Sequence, residues 1–560
     1  MSLDVPIQWR RAWCAWIATA ALVGPVHAIE DIPEGGSRWV QGYDGNPPTP
    51  GFRVDGLLRI EAPDEPQPVG IHLESGRVEV GPTGRILVQH GPGGSRFFSG
   101  DLVNDGSILL NAVLLFHRDG AEWVNRGTVE AATHLGFGMT GKGAVFRQVS
   151  GEIRAADPSS RFEFYNQSRL IYEGGKVLAL PRMVAATAEV RAEVTEELAL
   201  RFLAQGSSFE GRFPEDLSIT VSSDDAHGPA GLILRATTPI QGLVELSAAS
   251  GSPGALIEMA DEGITLGSRG VLRVKTGAGV SEIRGRLAVE GVLEVQGSAR
   301  WTASGEGLTN RGRIRLPFGG RLQTTAPLVQ TGGTLQIEGG ELSPSQGLSL
   351  QGGVLIASGI VSGDLTNAAL AVVDQEQPGR IRGKWNQTSA ATLEVRVRET
   401  SADAEAALLV MGALNPAGTL RVVLGDGVRL TRGSVLRLVQ AESIEGWFDR
   451  LVLPPLESGL HWQVFPSEHE VRLVVRDTPP TVLIEWIARD SGDRIRISGP
   501  WSTDTRVVLC VSHDLKGWTP IHRTGSFAGM TWFPIPEGQG SGTGVLTAYQ
   551  AILVPAGSPD

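Results

Sequence analysis

The fold is decided between residues 291 and 359, where GVLEVQG (291–297), GRIRL (312–316), GTLQIEGG (333–340) and GVLIASG (353–359) follow one another. Gly291, Gly312, Gly333 and Gly353 open these segments at steps of 21, 21 and 20 residues. A fixed step of this size is the signature of a repeat architecture. Behind each glycine, apolar and polar residues alternate, so Leu293 and Val295 share one face and Glu294 takes the other, as in a half-buried strand. One such repeat cannot bury its apolar side alone, and neighbours must stack. The step is too short for a strand with a crossover helix, which needs ~30 residues. It suits two or three short strands with tight turns, one coil of a parallel β-helix. Glycine at each opening supplies the positive φ or the close approach that a corner needs. A β-sandwich of hairpins is the competing reading, but sandwiches do not hold a constant step.

The same pattern runs outward. Gly106, Gly127, Gly151 and Gly175 recur at 21, 24 and 24 residues within NDGSILL, NRGTVEA, SGEIRA and GGKVLA. Asn104, Asn125 and Asn310 each stand two residues before an opening glycine, where stacked amides can bond along a ladder. Coils are expected from residue 76 to 400, preceded by a proline- and glycine-rich cap at 29–75. Residues 181–230 break the glycine pattern and read as an irregular insertion. Val190, Val194, Leu198 and Phe202 recur every fourth residue as on a helix, yet AEVRAEV also alternates. Residues 401–476 carry longer alternating strands and read as the β-rich end of the solenoid. Past the Pro479-Pro480 linker, residues 477–560 read as a small antiparallel β-sandwich.

Residues 1–28 read as a secretory signal: Arg10 and Arg11, an apolar run from Ala12 to Val23, and Val26-His27-Ala28, with cleavage expected after Ala28. The residues flanking the arginine pair do not fit a twin-arginine signal, and no later stretch is apolar enough to span a bilayer. Cleavage removes Cys14 and leaves Cys510, so no intramolecular disulfide is expected; RVVLCVS places that thiol in a buried strand. The formal charge of −12 disfavours nucleic acid or an anionic membrane as partner.

From Gly332 to Arg476 the order of segments resembles the autotransporter-associated β-strand repeat proteins of bacterial surfaces. The matching residues are TGGTLQIEGGELSPSQGLSLQGGVLIASGIVSGDLTN (331–367), PGRIRGKWNQTSAATLEVRV (378–397), GTLRVVLGDGVRLTRGSVLRLVQA (418–441) and GWFDRLVLPPLESGLHWQV (446–464). Pro378 to Gln387 is the most specific piece. The resemblance implies a right-handed parallel β-helix displayed or released outside the cell, with a structural or adhesive role and envelope, matrix or glycan partners. It does not extend to autotransport or covalent sorting, since the tail lacks the strands of a membrane barrel and a Pro-Glu-Pro signal. Ser512 to Ile521 (SHDLKGWTPI) resembles a segment found at the end of many secreted bacterial repeat proteins.

No residue is singled out as catalytic, cofactor-binding or metal-ligating. His72, His90, His117 and His134 are unevenly spaced for a metal ladder. Asp224-Asp225 and Asp261-Glu262 could hold calcium but read as solvated turns, and Gly425-Asp426-Gly427 reads as a hairpin turn. Trp301, Trp385, Trp462 and Trp518 could stack sugars but read mainly as buried aromatics. No P-loop, G-x-S-x-G, H-E-x-x-H or C-x-x-C motif occurs. The function expected is a secreted or cell-surface structural solenoid without catalysis. The alternatives are a polysaccharide lyase or hydrolase, which needs acids converging in one groove, and a non-catalytic carbohydrate-binding protein.

Overall fold

The computed structural model describes residues 30–40, 43–61, 69–89, 91, 96–132, 136–157, 160–224, 226–249, 252–260, 263–277, 279–303, 307–401 and 403–477, and the strands that lie between Leu483 and Pro555. These residues are all-β, with no helix among them. The chain divides into two compact units, Met1–Leu287 with Gly297–Arg300 and Ala288–Gln296 with Trp301–Asp560.

In the second unit the alternation of the opening stretch becomes a column. Leu293 pairs with Ile314, Ile314 with Leu335, Leu335 with Leu355, Leu355 with Ala371 and Ala371 with Leu393, each in parallel register. All six are fully buried. A β-solenoid requires this superposition, because a slip of one residue would turn each column out to solvent.

The first unit repeats the arrangement. Leu58, Ile86, Ile108, Val129, Ile153 and Val177 pair in succession within a parallel seven-stranded sheet. A second column, Phe98, Phe116, Met139, Phe164, Met183 and Phe202, fills another wall. Trp123 lies 4.3 Å from Phe116 and 4.8 Å from Phe146 between ring centroids, so aromatics interdigitate across the interior.

Glycine opens each coil because the corners touch. A Cβ on Gly312 would fall 2.2 Å from the carbonyl oxygen of Gly291, and one on Gly353 would fall 2.3 Å from that of Gly333. Close approach, more than positive φ, is the common requirement. The expected amide ladder forms beside these corners. Asn104 Nδ2 donates to Asn125 Oδ1 at 2.7 Å, and Asn125 Nδ2 donates to Gln148 Oε1 at 2.8 Å. In the second unit Asn310 donates to Gln330 at 3.4 Å, and Gln330 Nε2 to the Val354 carbonyl at 2.9 Å.

Two segments differ from expectation. Coils start at Ser37–Val40, which pairs in parallel with Leu57–Glu61, so only the lead-in near Asp31 and Ile32 acts as a cap. There the Ile32 amide donates to the Arg53 carbonyl at 2.8 Å. Residues 181–230 are no irregular insertion: they carry five strands in parallel register, and Val190, Val194, Leu198 and Phe202 are all buried on strand or loop. At the far end of the stack, Val435–Ile444 meets Glu470–Arg476 in antiparallel register, and Glu470–Arg476 also pairs antiparallel with His461–Pro466. The final segment forms two three-stranded antiparallel sheets, matching the all-β terminal module.

Candidate functional site

Outward strand positions in a solenoid stand one coil apart, near enough for long side chains to meet. In the first unit they build a chain of ion pairs. Arg147 reaches Glu122 at 2.8 Å and Glu173 at 2.7 Å; Arg191 reaches Glu173 at 3.1 Å; Arg169 reaches Glu189 at 2.6 Å and Glu210 at 3.0 Å. In the second unit Arg315 lies 3.4 Å from Glu294 and 2.8 Å from Glu338, and Arg398 lies 2.9 Å from Asp374. Single exposed pairs contribute ~0–1 kcal/mol each. Their chemical consequence is larger than their stability. The hydrogen bond from Arg191, aided by Arg169 and outweighing burial, holds the Glu189 carboxyl below its ordinary range. Asp374 is likewise held low: burial opposes, but Arg398 and the Glu376 amide win. A general acid needs the opposite shift.

A hollow of about 710 Å³ runs along the corners of the first coils, lined by Glu34, Ser37, Asp55, Thr83, Arg85 and Ser107 among others. Its floor is the glycine column. A Cβ on Gly56 would fall 2.3 Å from the Gly36 oxygen, and one on Gly106 would fall 2.3 Å from the Gly84 oxygen. Side chains are therefore barred from the floor, and the polar neighbours form the walls.

The sequence candidates separate clearly. Trp301 and Trp385 are fully buried and offer no stacking surface. Trp462 is half-buried, its Nε1 donating to the Pro454 carbonyl at 3.0 Å, and Trp518 lies outside the described residues. Among the described residues the indole most open to solvent is Trp39, 49% exposed, with the Arg59 guanidinium carbon 4.8 Å from its ring centroid. It was missed although the signal was present: in SRWV, Val40 takes the inward position and leaves Trp39 at outward parity.

His72 and His117 lie near each other. The His117 imidazole, 5.4 Å from the Phe97 ring, has a pKa lowered first by desolvation and then by His72. His90 and His134 lie outside the described residues, and among those described no three His, Cys, Asp or Glu side chains converge as a metal site. Asp224 is taken by His227, whose backbone amide donates to Oδ1 at 2.7 Å and whose Nδ1 lies 2.9 Å from the same oxygen. Asp225, Asp261 and Glu262 are outside the described residues. Gly425 to Val428 does close a turn, with the Val428 amide donating to the Gly425 carbonyl at 3.2 Å. It is not a hairpin: the flanking strand Thr419–Leu424 pairs in parallel with Thr392–Val397 and Arg450–Val452. Cys510 falls on the strand Thr505–Ser512, where side chains are not described.

Comparison with family models, with curated proteins and with solved structures finds no match to this chain.

Proposed function

We propose that this protein is a secreted or cell-surface β-solenoid of structural or adhesive type, without catalytic activity, and that it is allied to the autotransporter-associated β-strand repeat proteins. The observation that carries this reading is the cross-coil ion-pair ladder. Outward carboxylates such as Glu122, Glu173 and Glu189 are engaged by arginines one coil away, which suits a durable outer surface, and Arg191 with Arg169 favours the charged form of Glu189. A lyase or hydrolase would instead keep acids in one groove with at least one pKa raised. Export rests on the amino-terminal charge and apolar run followed by Val26-His27-Ala28.

The test is fractionation of cells producing the full chain, followed by amino-terminal sequencing of the mature protein. The expected result is recovery from the envelope or medium with Ile29 as first residue. Recovery from the cytoplasm with Met1 in place would overturn the export reading. Release of new reducing ends or unsaturated products from plant, algal or bacterial polysaccharides by purified protein would overturn the non-catalytic one.

A further inference from the structure

We propose that the outward face around Trp39, on the first coils of the first unit, is a binding subsite for a neutral glycan. The proposal rests on the interaction reading above and names the chemistry of the partner. Trp39 is 49% exposed at a strand position, whereas Trp123, Trp301 and Trp385 are buried to within 1%. An exposed indole on a rigid strand is a platform for the C–H face of a pyranose ring. Its orientation is restrained by Arg59, which pairs with it in register on the next strand and places its guanidinium carbon 4.8 Å from the ring centroid.

The second observation is independent of the indole. On Leu57–Glu61, residues 57, 59 and 61 share the outward face. Two of them carry buried atoms with no hydrogen-bond partner among the described residues, Nε of Arg59 and Oε2 of Glu61. One is a donor and the other an acceptor. Unpaired buried polar atoms are costly, and a partner that supplies both functions relieves both. An anion could serve only the arginine and a cation only the glutamate. A hydroxyl serves either, and a sugar presents several on one ring.

The adjoining hollow extends the argument. Ser37 and Trp39 alternate onto the same face of one strand, and Ser37, Leu57 and Arg85 follow in register across three. The walls add Glu34 and Asp55. Asp55 is itself taken by Arg53, whose Nε lies 2.7 Å from its Oδ2, so the rim presents paired charges of both signs and not a field of one sign. A neutral polyol meets a mixed set of donors and acceptors around one apolar plate, the usual composition of a small-ligand site.

The test uses the full mature chain in affinity electrophoresis and calorimetry against soluble neutral polymers, namely a β-glucan, an α-glucan, a galactomannan and a xylan, with polygalacturonate as the charged control. Binding to at least one neutral polymer is expected, with a change in tryptophan emission. Trp39→Ala should weaken it roughly tenfold or more, equivalent to ~1.4 kcal/mol. Trp39→Phe should keep most of it, Glu61→Gln should weaken it several-fold, and Trp462→Phe should leave it unchanged. Circular dichroism of each variant guards against misfolding. No binding to any neutral polymer, binding to polygalacturonate alone, or binding that Trp39→Ala leaves intact would each overturn the proposal. A chain found outside the cell that ignores every neutral polymer sinks the glycan subsite and spares the surface reading. A cytoplasmic chain that binds them does the reverse.

Discussion

Gly332 and Gly333 are neighbours in sequence, yet the coil gives them opposite constraints. A Cβ on Gly333 would lie 1.9 Å from the carbonyl oxygen of Gly312, with a backbone φ of +59°. A Cβ on Gly332 would meet nothing nearer than Arg311 Cα at 3.8 Å, and that residue's φ is not in the left-handed region. Gly333→Ala must therefore push one coil off the next and also hold an L-residue in a left-handed conformation. Overpacking of this kind costs ~1–3 kcal/mol and the backbone term adds ~1–2 kcal/mol, so a loss of about 2–5 kcal/mol is expected. Gly332→Ala removes only unfolded-chain freedom and should be neutral or stabilising by up to ~1 kcal/mol.

Urea unfolding followed by far-UV circular dichroism gives the difference. Stacked repeats can open locally, so hydrogen exchange over residues 312–354 should accompany it. Gly333→Ala should lower the midpoint and speed exchange in the Gly312 and Gly353 coils. Gly332→Ala should do neither. Equal effects from the two substitutions, or a Gly333→Ala within ~0.5 kcal/mol of the parent, would refute close stacking as the reason for the repeating glycine.

Asn125→Ala breaks both ladder bonds, leaving Asn104 Nδ2 only the Thr128 carbonyl at 3.3 Å and taking the donor from buried Gln148 Oε1; a loss of ~2–4 kcal/mol in urea unfolding is expected, against less than ~1 kcal/mol for exposed Arg126→Ala. Trp123 is buried with Nε1 unpartnered. Trp123→Phe should therefore cost far less than Trp123→Ala, for which ~3–5 kcal/mol is expected by thermal and urea unfolding. The Glu189 carboxyl, held low by Arg191 and Arg169, releases its proton more readily folded than unfolded. Its contribution is complete above the unfolded carboxyl pKa of ~4.3 and disappears as pH falls through the lower folded value. Glu189→Gln should flatten that acid limb of a stability–pH profile and leave the limb above pH ~8 unchanged.

The stacking of coils was legible because it is written twice, once as alternation and once as a glycine step. Leu293, Ile314 and Leu335 occupy one column because both signals agree at those positions. The amide ladder was legible from Asn104, Asn125 and Asn310 for the same reason. Surface partnerships were not. Arg147 reaches Glu122 and Glu173 across 25 and 26 residues of chain, and a coil length that varies between neighbours hides which outward residues become adjacent. Trp301 and Trp385 are singled out by sequence and Trp39 is passed over; only the parity of the flanking strand separates a buried indole from an exposed one.

The segment at 181–230 shows how a change of cross-section imitates an insertion. From Ser107 to Val190 each coil carries three short strands, and Gln148 lies 24 residues before Tyr172 in the register. The next step along that column, Tyr172 to Val190, is only 18 residues. That span still holds three short strands, Lys176–Leu178, Pro181–Val184 and Thr187–Val190, whereas the following step, Val190 to Gly211, holds only Leu198–Phe202 and Ser207–Gly211, with no glycine-opened third strand. Two strands per coil persist from Leu198 to Met259, and a third reappears at Ile264–Leu266. Lys176–Leu178 is thereby left as the last strand of the seven-stranded sheet, with Leu178 55% exposed. A bare edge invites pairing with other chains, and a charged residue blunts it. Lys176 supplies that charge, its Nζ held 2.5 Å from Glu196 on the two-strand coil that follows. The loss of the opening glycine and the charged edge are thus one event, in which the polypeptide drops a wall while keeping its interior columns in register.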